Sequence, residues 1–461
     1  MINIIMRKKI LNEFNKTDPE SWKRKIKDDL NKLGYSKIPE YSSKENIDIK
    51  PFYTKEDQIN SKNLDLTYPE NWRISNTVIV ENSSDGNLKA CNLIDKGADS
   101  INFIIRNREI SFKELLKNIS SKNIELFLEI ESSSAPLLSS LNELAKKSNL
   151  FNIVYDPIGN LVKSGNWTKS MNEDLNQLKN NVNLLKNFNN TIVIDSGIYQ
   201  NAGANIFEEI AFSMNHANEY LNYFNGKNAE KIAFKVSIGS NYFFEIAKLR
   251  AMRLLWSNIT NEYGNKIISP HIIAKPSNRN KTIYEYNNNI LRTTTECLSA
   301  IFGGANTISN STYDYLFNKK NEFSDRIALN QLLIIKNETN IDKVKNAADG
   351  SYYIDNLTST MAEGALKIFK DIEEKGGHIV CLEKNIIQNK IKDSDKIEQK
   401  HFDDGKEKLI GINTYKDESL KIKSEITKGI SKKTITIKGI IEPIIESRIA
   451  EETELSRINN E

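Results

Sequence analysis

The chain has 461 residues, and 64 lysines and arginines against 61 aspartates and glutamates leave a formal net charge of +3. That is too near neutral for nucleic acid or an anionic membrane to be held by the overall field, and the length supports a large core without disulfide or metal. Cys91, Cys297 and Cys381 are scattered, and the four histidines (His216, His271, His378, His401) include no HxxxH pair. Buried thiols in a reducing compartment and no metal centre are expected. With no long apolar leader and no run of about 18 apolar residues, a soluble cytoplasmic protein is expected.

Residues 1–60 read as an arm. Asp18-Pro19-Glu20 is a helix start, with Asp as cap and Pro at the first helical position. The stripe Trp22, Ile26, Leu30, Leu33 follows and stops at Gly34. A proline-punctuated extended stretch then runs through Ile38-Pro39 to Pro51-Phe52-Tyr53-Thr54. From about residue 74, β-rich runs alternate with helical periods. The runs are Ser75–Val80, Ile101–Ile105, Ile124–Ile130, Phe151–Tyr155, Thr191–Asp195, Ile232–Ile238, Ile268–Ala274 and a weak one at Ala305–Ile308. Between them lie Pro136–Lys147, Glu173–Phe188, Asn205–Phe224, Tyr242–Asn258 and Asn288–Phe302. Eight alternations predict a (β/α)8 TIM barrel over residues 61–385, and an open doubly wound sheet gives the same alternation. Beyond Gly376-Gly377, residues 386–461 read as a charged extension, with an exposed helix over 386–408 and a last helix after Pro443.

Several stretches, taken in order, carry a family resemblance. They are Ala202-Gly203-Ala204, Asn241 to Trp256 (NYFFEIAKLRAMRLLW), Arg292 to Glu296 (RTTTE) with Phe302-Gly303-Gly304-Ala305, Ser324 to Ala328 (SDRIA), Asp349 to Tyr353 (DGSYY) and Glu373 to Gly377 (EEKGG). Together with Pro51 to Asp57 and the end helix from Arg448, they resemble the methylmalonyl-CoA mutase family over nearly the whole chain, and most closely its small (beta) subunits. The resemblance implies a barrel whose axis receives the CoA tail of the substrate, capped by a separate cobalamin domain. Adenosylcobalamin supplies the radical that interconverts succinyl-CoA and (R)-methylmalonyl-CoA.

The departures from that pattern carry the functional expectation. A cobalamin module carries DxHxxG, whose His ligates cobalt. The one C-terminal histidine, His401, lacks the Asp two residues before it, and Gly405 falls one place late. The sixty residues after His401 are fewer than such a fold needs, so no C-terminal cobalamin domain is expected and His401 reads as a solvated surface residue. Catalytic subunits read GYHMQEAGA at a strand end, where the His donates to the migrating carbonyl. Counting back from Ala202-Gly203-Ala204, that position is Ile198, which offers no proton. Tyr199, one place on, is expected to point the other way by strand alternation.

YPxxxFTRG shrinks to Tyr68-Pro69 with Arg73 as a displaced candidate, and no Arg lies between Trp167 and Asp195, where a bidentate fork for the substrate carboxylate belongs. The CoA loop TSGxSLTEQD is eroded to Pro276–Glu285, leaving Ser277, Thr282 and Glu285. Residual CoA contacts are therefore expected, at most, from Ser277, Thr282 and Arg292. Arg292 also suits a buried salt bridge.

Tyr155-Asp156-Pro157-Ile158-Gly159 is a DPxG turn found in the family's small subunits. Glu245, Arg250 and Arg253 suit structural pairing, and Gly303-Gly304 suits close strand–helix packing. The expectation is a noncatalytic small subunit, paired with a large (alpha) subunit that binds adenosylcobalamin and brings the acyl-CoA. Its arm would wrap that partner, and it would have no catalytic, cofactor or metal residues of its own. Two rivals are a catalytic barrel that borrows cobalamin from a separate protein, as isobutyryl-CoA mutases do, and a non-enzymatic acyl-CoA-binding scaffold.

Overall fold

The structure is a computed structural model that describes residues 18–33, 41–43, 45–57, 66–107, 109–119, 123–130, 134–146, 150–430 and 439–461. The chain divides into two compact units, Met1–Asn60 and Ser61–Glu461.

In the first unit, helix α1 (Pro19–Lys32) starts where the sequence predicts. The Asp18 carboxylate accepts the Ser21 backbone N–H at 2.6 Å, with Pro19 in the first turn. None of its residues is buried, and Trp22 meets Phe52 of the extended stretch with ring centroids 3.4 Å apart. A short antiparallel pair, β1 (Tyr41–Ser42) and β2 (Asp48–Ile49), follows. The predicted stop at Gly34 and the Ile38-Pro39 break lie outside the described residues.

The second unit is built on eight parallel strands: β3 (Arg73–Val80), β4 (Ser100–Ile105), β5 (Glu125–Ile130), β6 (Phe151–Val154), β7 (Ile192–Asp195), β8 (Ile232–Ile238), β9 (His271–Pro276) and β10 (Thr307–Ser309). Each pairs with its chain neighbours except β6 and β7, and β10 returns to β3 in register Thr307↔Arg73. The seam between β6 and β7 closes through the bridge Asn152↔Asn190, where Asn190 donates from Nδ2 to Asn152 Oδ1 at 2.8 Å. This is a closed (β/α)8 barrel, and the open doubly wound alternative is excluded. Side chains alternate along each strand. Val78, Phe103, Leu128 and Ile153 face outward into the strand–helix core, which Leu115, Leu138 and Leu141 complete from the helices.

The helices of the unit are α2 (Ser83–Asp95), α3 (Phe112–Leu115), α4 (Ala135–Ala145), α5 (Pro157–Ser164), α6 (Met171–Leu184), α7 (Gly197–Asn201), α8 (Ile206–Tyr223), α9 (Tyr242–Glu262), α10 (Asn288–Phe302), α11 (Glu322–Asn337), α12 (Tyr352–Glu374), α13 (His378–Glu383), α14 (Ile386–Asp403) and α15 (Glu451–Asn459). No strand follows β10 among the described residues, and no helix there is long and apolar enough to cross a membrane.

Three local expectations need correction. The DPxG "turn" is the start of α5: Asp156 caps it by accepting the Gly159 N–H at 2.8 Å, and Pro157 occupies the first turn. Residues 197–201 are helical rather than extended, so strand alternation does not govern Tyr199. The helix predicted over 386–408 is α14. It is not simply exposed, because Ile387, Ile391 and Phe402 are buried.

Candidate functional site

The barrel axis is the natural place to look for a channel. Strand parity sends the same face of each strand inward. At the N-terminal end, Thr307 donates to Glu125 at 2.6 Å and meets His271 Nε2 at 3.1 Å. Arg73, at the start of β3, donates to the Asn123 carbonyl at 3.1 Å, so it belongs to this lower rim. One layer up, Phe127, Val193, Ala233 and Ile273 pack together, with Val154 beside them. Phe127 on β5 and Ile273 on β9 reach from opposite sides of the barrel, and the four side chains are at most 9% exposed. An apolar plug therefore crosses the axis. Above it, at the C-terminal mouth, the lumen turns charged. Asp195 accepts from Lys163 at 2.9 Å and from Lys235 at 3.2 Å.

Ile198 lies on α7 at the strand end and is 1% exposed. The next residue carries the polarity. Tyr199 Oη sits 3.1 Å from His216 Nδ1 and 2.8 Å from His378 Nε2, and His216 Nε2 is 2.9 Å from Asp156 Oδ1, which also accepts from Tyr220 at 2.6 Å. One proton arrangement satisfies the chain: His378 donates to Tyr199, Tyr199 to His216, and His216 to Asp156. The network is buried and ties α13, α8, α7 and the cap of α5 together. Nothing in the sequence points to it, because directly bonded partners lie up to 179 positions apart.

The eroded CoA loop is satisfied from within. Ser277 is fully buried, donates to Gln200 Oε1 at 2.8 Å and lies 3.0 Å from Asn201 Oδ1. Thr282, also buried, accepts from Arg292 at 2.8 Å, and Arg292 also donates to Asn289 and to the Ile410 carbonyl, each at 2.8 Å. Arg292 thus contacts neutral oxygens; the expected buried salt bridge does not form. Thr282 and Arg292 are together, whereas Ser277 has other partners. Glu285 is likewise engaged, by Asn288 Nδ2 and the Asp417 N–H.

The helix motif of α9 is structural. Arg250 grips Tyr68, Asp349, Thr358 and Asp355, the last at 2.6 Å. Arg253 donates to Ser269, the Pro270 and Gly304 carbonyls and Asn306. Glu245 pairs with Lys248 at 2.6 Å, not with either arginine. A Cβ on Gly303 would lie 2.8 Å from Leu249, and one on Gly304 (φ +82°) 2.6 Å from Tyr68, so close packing accounts for this pair.

The four histidines occupy different settings. His401 is half-buried within α14 rather than fully solvated, and no DxHxxG loop surrounds it; His216, His271 and His378 are engaged inside the barrel unit. Among the described residues no group of three or more metal-ligating side chains assembles. The described cysteines form no disulfide, and Cys91 is half-buried where burial was expected.

The sequence matches the methylmalonyl-CoA mutase family over residues 108–439. It is 30% identical to the methylmalonyl-CoA mutase small subunit of Porphyromonas gingivalis, aligned over 99% of this chain and 79% of that one. Methylmalonyl-CoA mutases of Cereibacter sphaeroides and Escherichia coli share 32% and 31% identity across 49% of this chain, a span that is 33% of each of those longer proteins. Among solved structures, a Yersinia pestis dihydropteroate synthase overlaps 60% of this chain and 98% of its own at 11% identity and TM-score 0.30, too loosely to carry an argument. With a match across well over half its length and a fold built on a (β/α)8 barrel, the chain belongs to the methylmalonyl-CoA mutase family.

Proposed function

We propose that this protein is the small, noncatalytic subunit of a heterodimeric, adenosylcobalamin-dependent methylmalonyl-CoA mutase. It supports a large subunit that binds the corrin and interconverts succinyl-CoA and (R)-methylmalonyl-CoA in the cytoplasm. The observation that carries this reading is the packed axis. A family barrel that takes a CoA tail along its centre needs a channel, and here Phe127, Val193, Ala233 and Ile273 occupy that space. The hydrocarbon at position 198, the internally satisfied Ser277, Thr282 and Arg292, and a His401 that no DxHxxG loop surrounds support it further. The similarity to a protein named as a small subunit supports the pairing with a large one.

Expression with and without the large subunit tests this. Purified alone and given adenosylcobalamin and succinyl-CoA, the chain is expected to show no turnover; with the large subunit it is expected to co-purify in an active complex. Turnover by the isolated chain would overturn the proposal, and so would failure to form a complex.

A further inference from the structure

Four charged side chains converge where the barrel opens at the C-terminal ends of its strands. Asp195 on β7, Lys235 on β8 and Lys275 on β9 each stand two residues beyond a member of the apolar plug (Val193, Ala233 and Ile273), so all three face the lumen. Lys163 joins them from the last turn of α5. Asp195 is half-buried, and Lys235 and Lys163 hold it ionised, well below the usual carboxylate range. Both of its cationic neighbours share this one carboxylate, which leaves the trio with one excess positive charge.

Lys275 is different. Its side chain is half-buried, and among the described residues no hydrogen bond or ion pair holds its ammonium. Burial, and then the like charge of Lys235, hold it below the ordinary lysine range, against the opposing pull of Asp195 and Glu446. An amine with these neighbours keeps more of its nitrogen lone pair free at neutral pH than a surface lysine does.

We propose that Lys275 is a reactive amine at the mouth of the barrel, capturing small aldehydes or α-keto acids as imines. The nitrogen lone pair forms a C–N bond to the carbonyl carbon while the C=O π pair moves to oxygen. A proton passes from nitrogen to that oxygen to give a carbinolamine, and loss of water leaves C=N. Burial and then the charge of Lys235 disfavour protonation of the amine, and Asp195 holds Lys235 in place. The plug residues Val193, Ala233 and Ile273 lie two positions below along their strands, so the lumen beneath favours a compact ligand. This activity rests on the lumen alone and does not depend on the subunit reading.

Reductive trapping tests it. The full chain is incubated with glyoxylate and cyanoborohydride, and modified lysines are ranked by peptide mass spectrometry over time. Lys275 is expected to label ~10-fold or more faster than an exposed lysine such as Lys416, and Lys235→Gln to slow Lys275 labelling several-fold by restoring its proton. Lys275→Arg should remove the fast adduct and leave the slow surface labelling unchanged. Labelling of Lys275 no faster than Lys416 in the wild type overturns the proposal without recourse to any variant, and so does an unchanged rate in a Lys235→Gln protein of native circular dichroism.

Discussion

At the scale of single residues, position 198 carries the proposed division between scaffold and chemistry. Under that reading Ile198→His supplies an imidazole where catalytic subunits have one, but the side chain sits on α7 and is buried, in a barrel whose axis is plugged. The variant is expected to show no mutase turnover with adenosylcobalamin and succinyl-CoA, and measurable product would contradict this. Lys248 gives a sharper test of buried charge. Its ammonium reaches Glu209 at 2.8 Å, Glu245 at 2.6 Å and the Ser237 carbonyl at 2.6 Å, with essentially no exposure. Lys248→Met strands two carboxylates, which should cost about 3–5 kcal/mol in urea unfolding, and adding Glu209→Gln should recover part of it. The His378 network makes stability depend on pH. Burial, then His216, hold His378 well below the ordinary imidazole range. The folded chain thus refuses a proton that the unfolded chain accepts below about pH 6.5. The contribution of neutral His378 is complete above that pH and falls as the pH drops towards the depressed folded value, by ~1.4 kcal/mol per unit. The stability difference between wild type and His378→Asn should therefore shrink between pH 7 and pH 5; a constant difference would exclude the mechanism.

At the scale of elements, α14 shows how the C-terminal segment serves the barrel. Arg279, from the loop after β9, grips Asp395 and Glu398 on α14 and the Ser447 hydroxyl, and Gly203 (φ +104°) leaves room where a Cβ would lie 2.6 Å from the Asp395 Cβ. Arg279→Met should loosen α14 without unfolding the barrel, costing roughly 2–3 kcal/mol for the lost charge-assisted bonds, with hydrogen exchange rising in 386–403 while β3–β10 stay protected. Uniform protection in both segments would exclude the staple. Elements with strong periodicity were legible in the sequence: Asn288–Phe302 has the expected limits, and the first six predicted strands lie within two residues of those observed. The eighth is equally close, and only the seventh is displaced, from Ile268–Ala274 to His271–Pro276, because β9 ends on a lysine and a proline. The start of α5 was hidden because Asp-Pro suits a turn and a helix cap equally well. The charged lumen was hidden for another reason. Lys235 and Lys275 alternate with apolar residues as solvent-facing positions do, and only closure of the barrel turns that face inward. Their place at the C-terminal ends of strands was the available signal.

At the scale of the whole molecule, the motif residues are engaged in holding the barrel unit together. Arg250 fixes α9 to α12, Arg253 fixes it to the lower rim, Ser277 bonds Gln200 and Asn201, and Thr282 and Arg292 bond each other. A chain built this way is expected to work through assembly, which makes the first unit the place to test. Residues Met1–Asn60 form a compact unit of their own, and α1 buries none of its residues, although Trp22, Ile26 and Leu30 mark an apolar stripe. Under the proposed pairing, this arm contributes the partner-wrapping surface. Deleting residues 1–50 should leave the Ser61–Glu461 unit folded, with a melting temperature within about 3 °C of the full chain, while abolishing co-purification with the large subunit. A Trp22→Asp, Leu30→Asp double substitution, which changes the stripe and nothing in the barrel, should weaken assembly in the same direction. Intact complex in both variants would place the interface on the barrel instead.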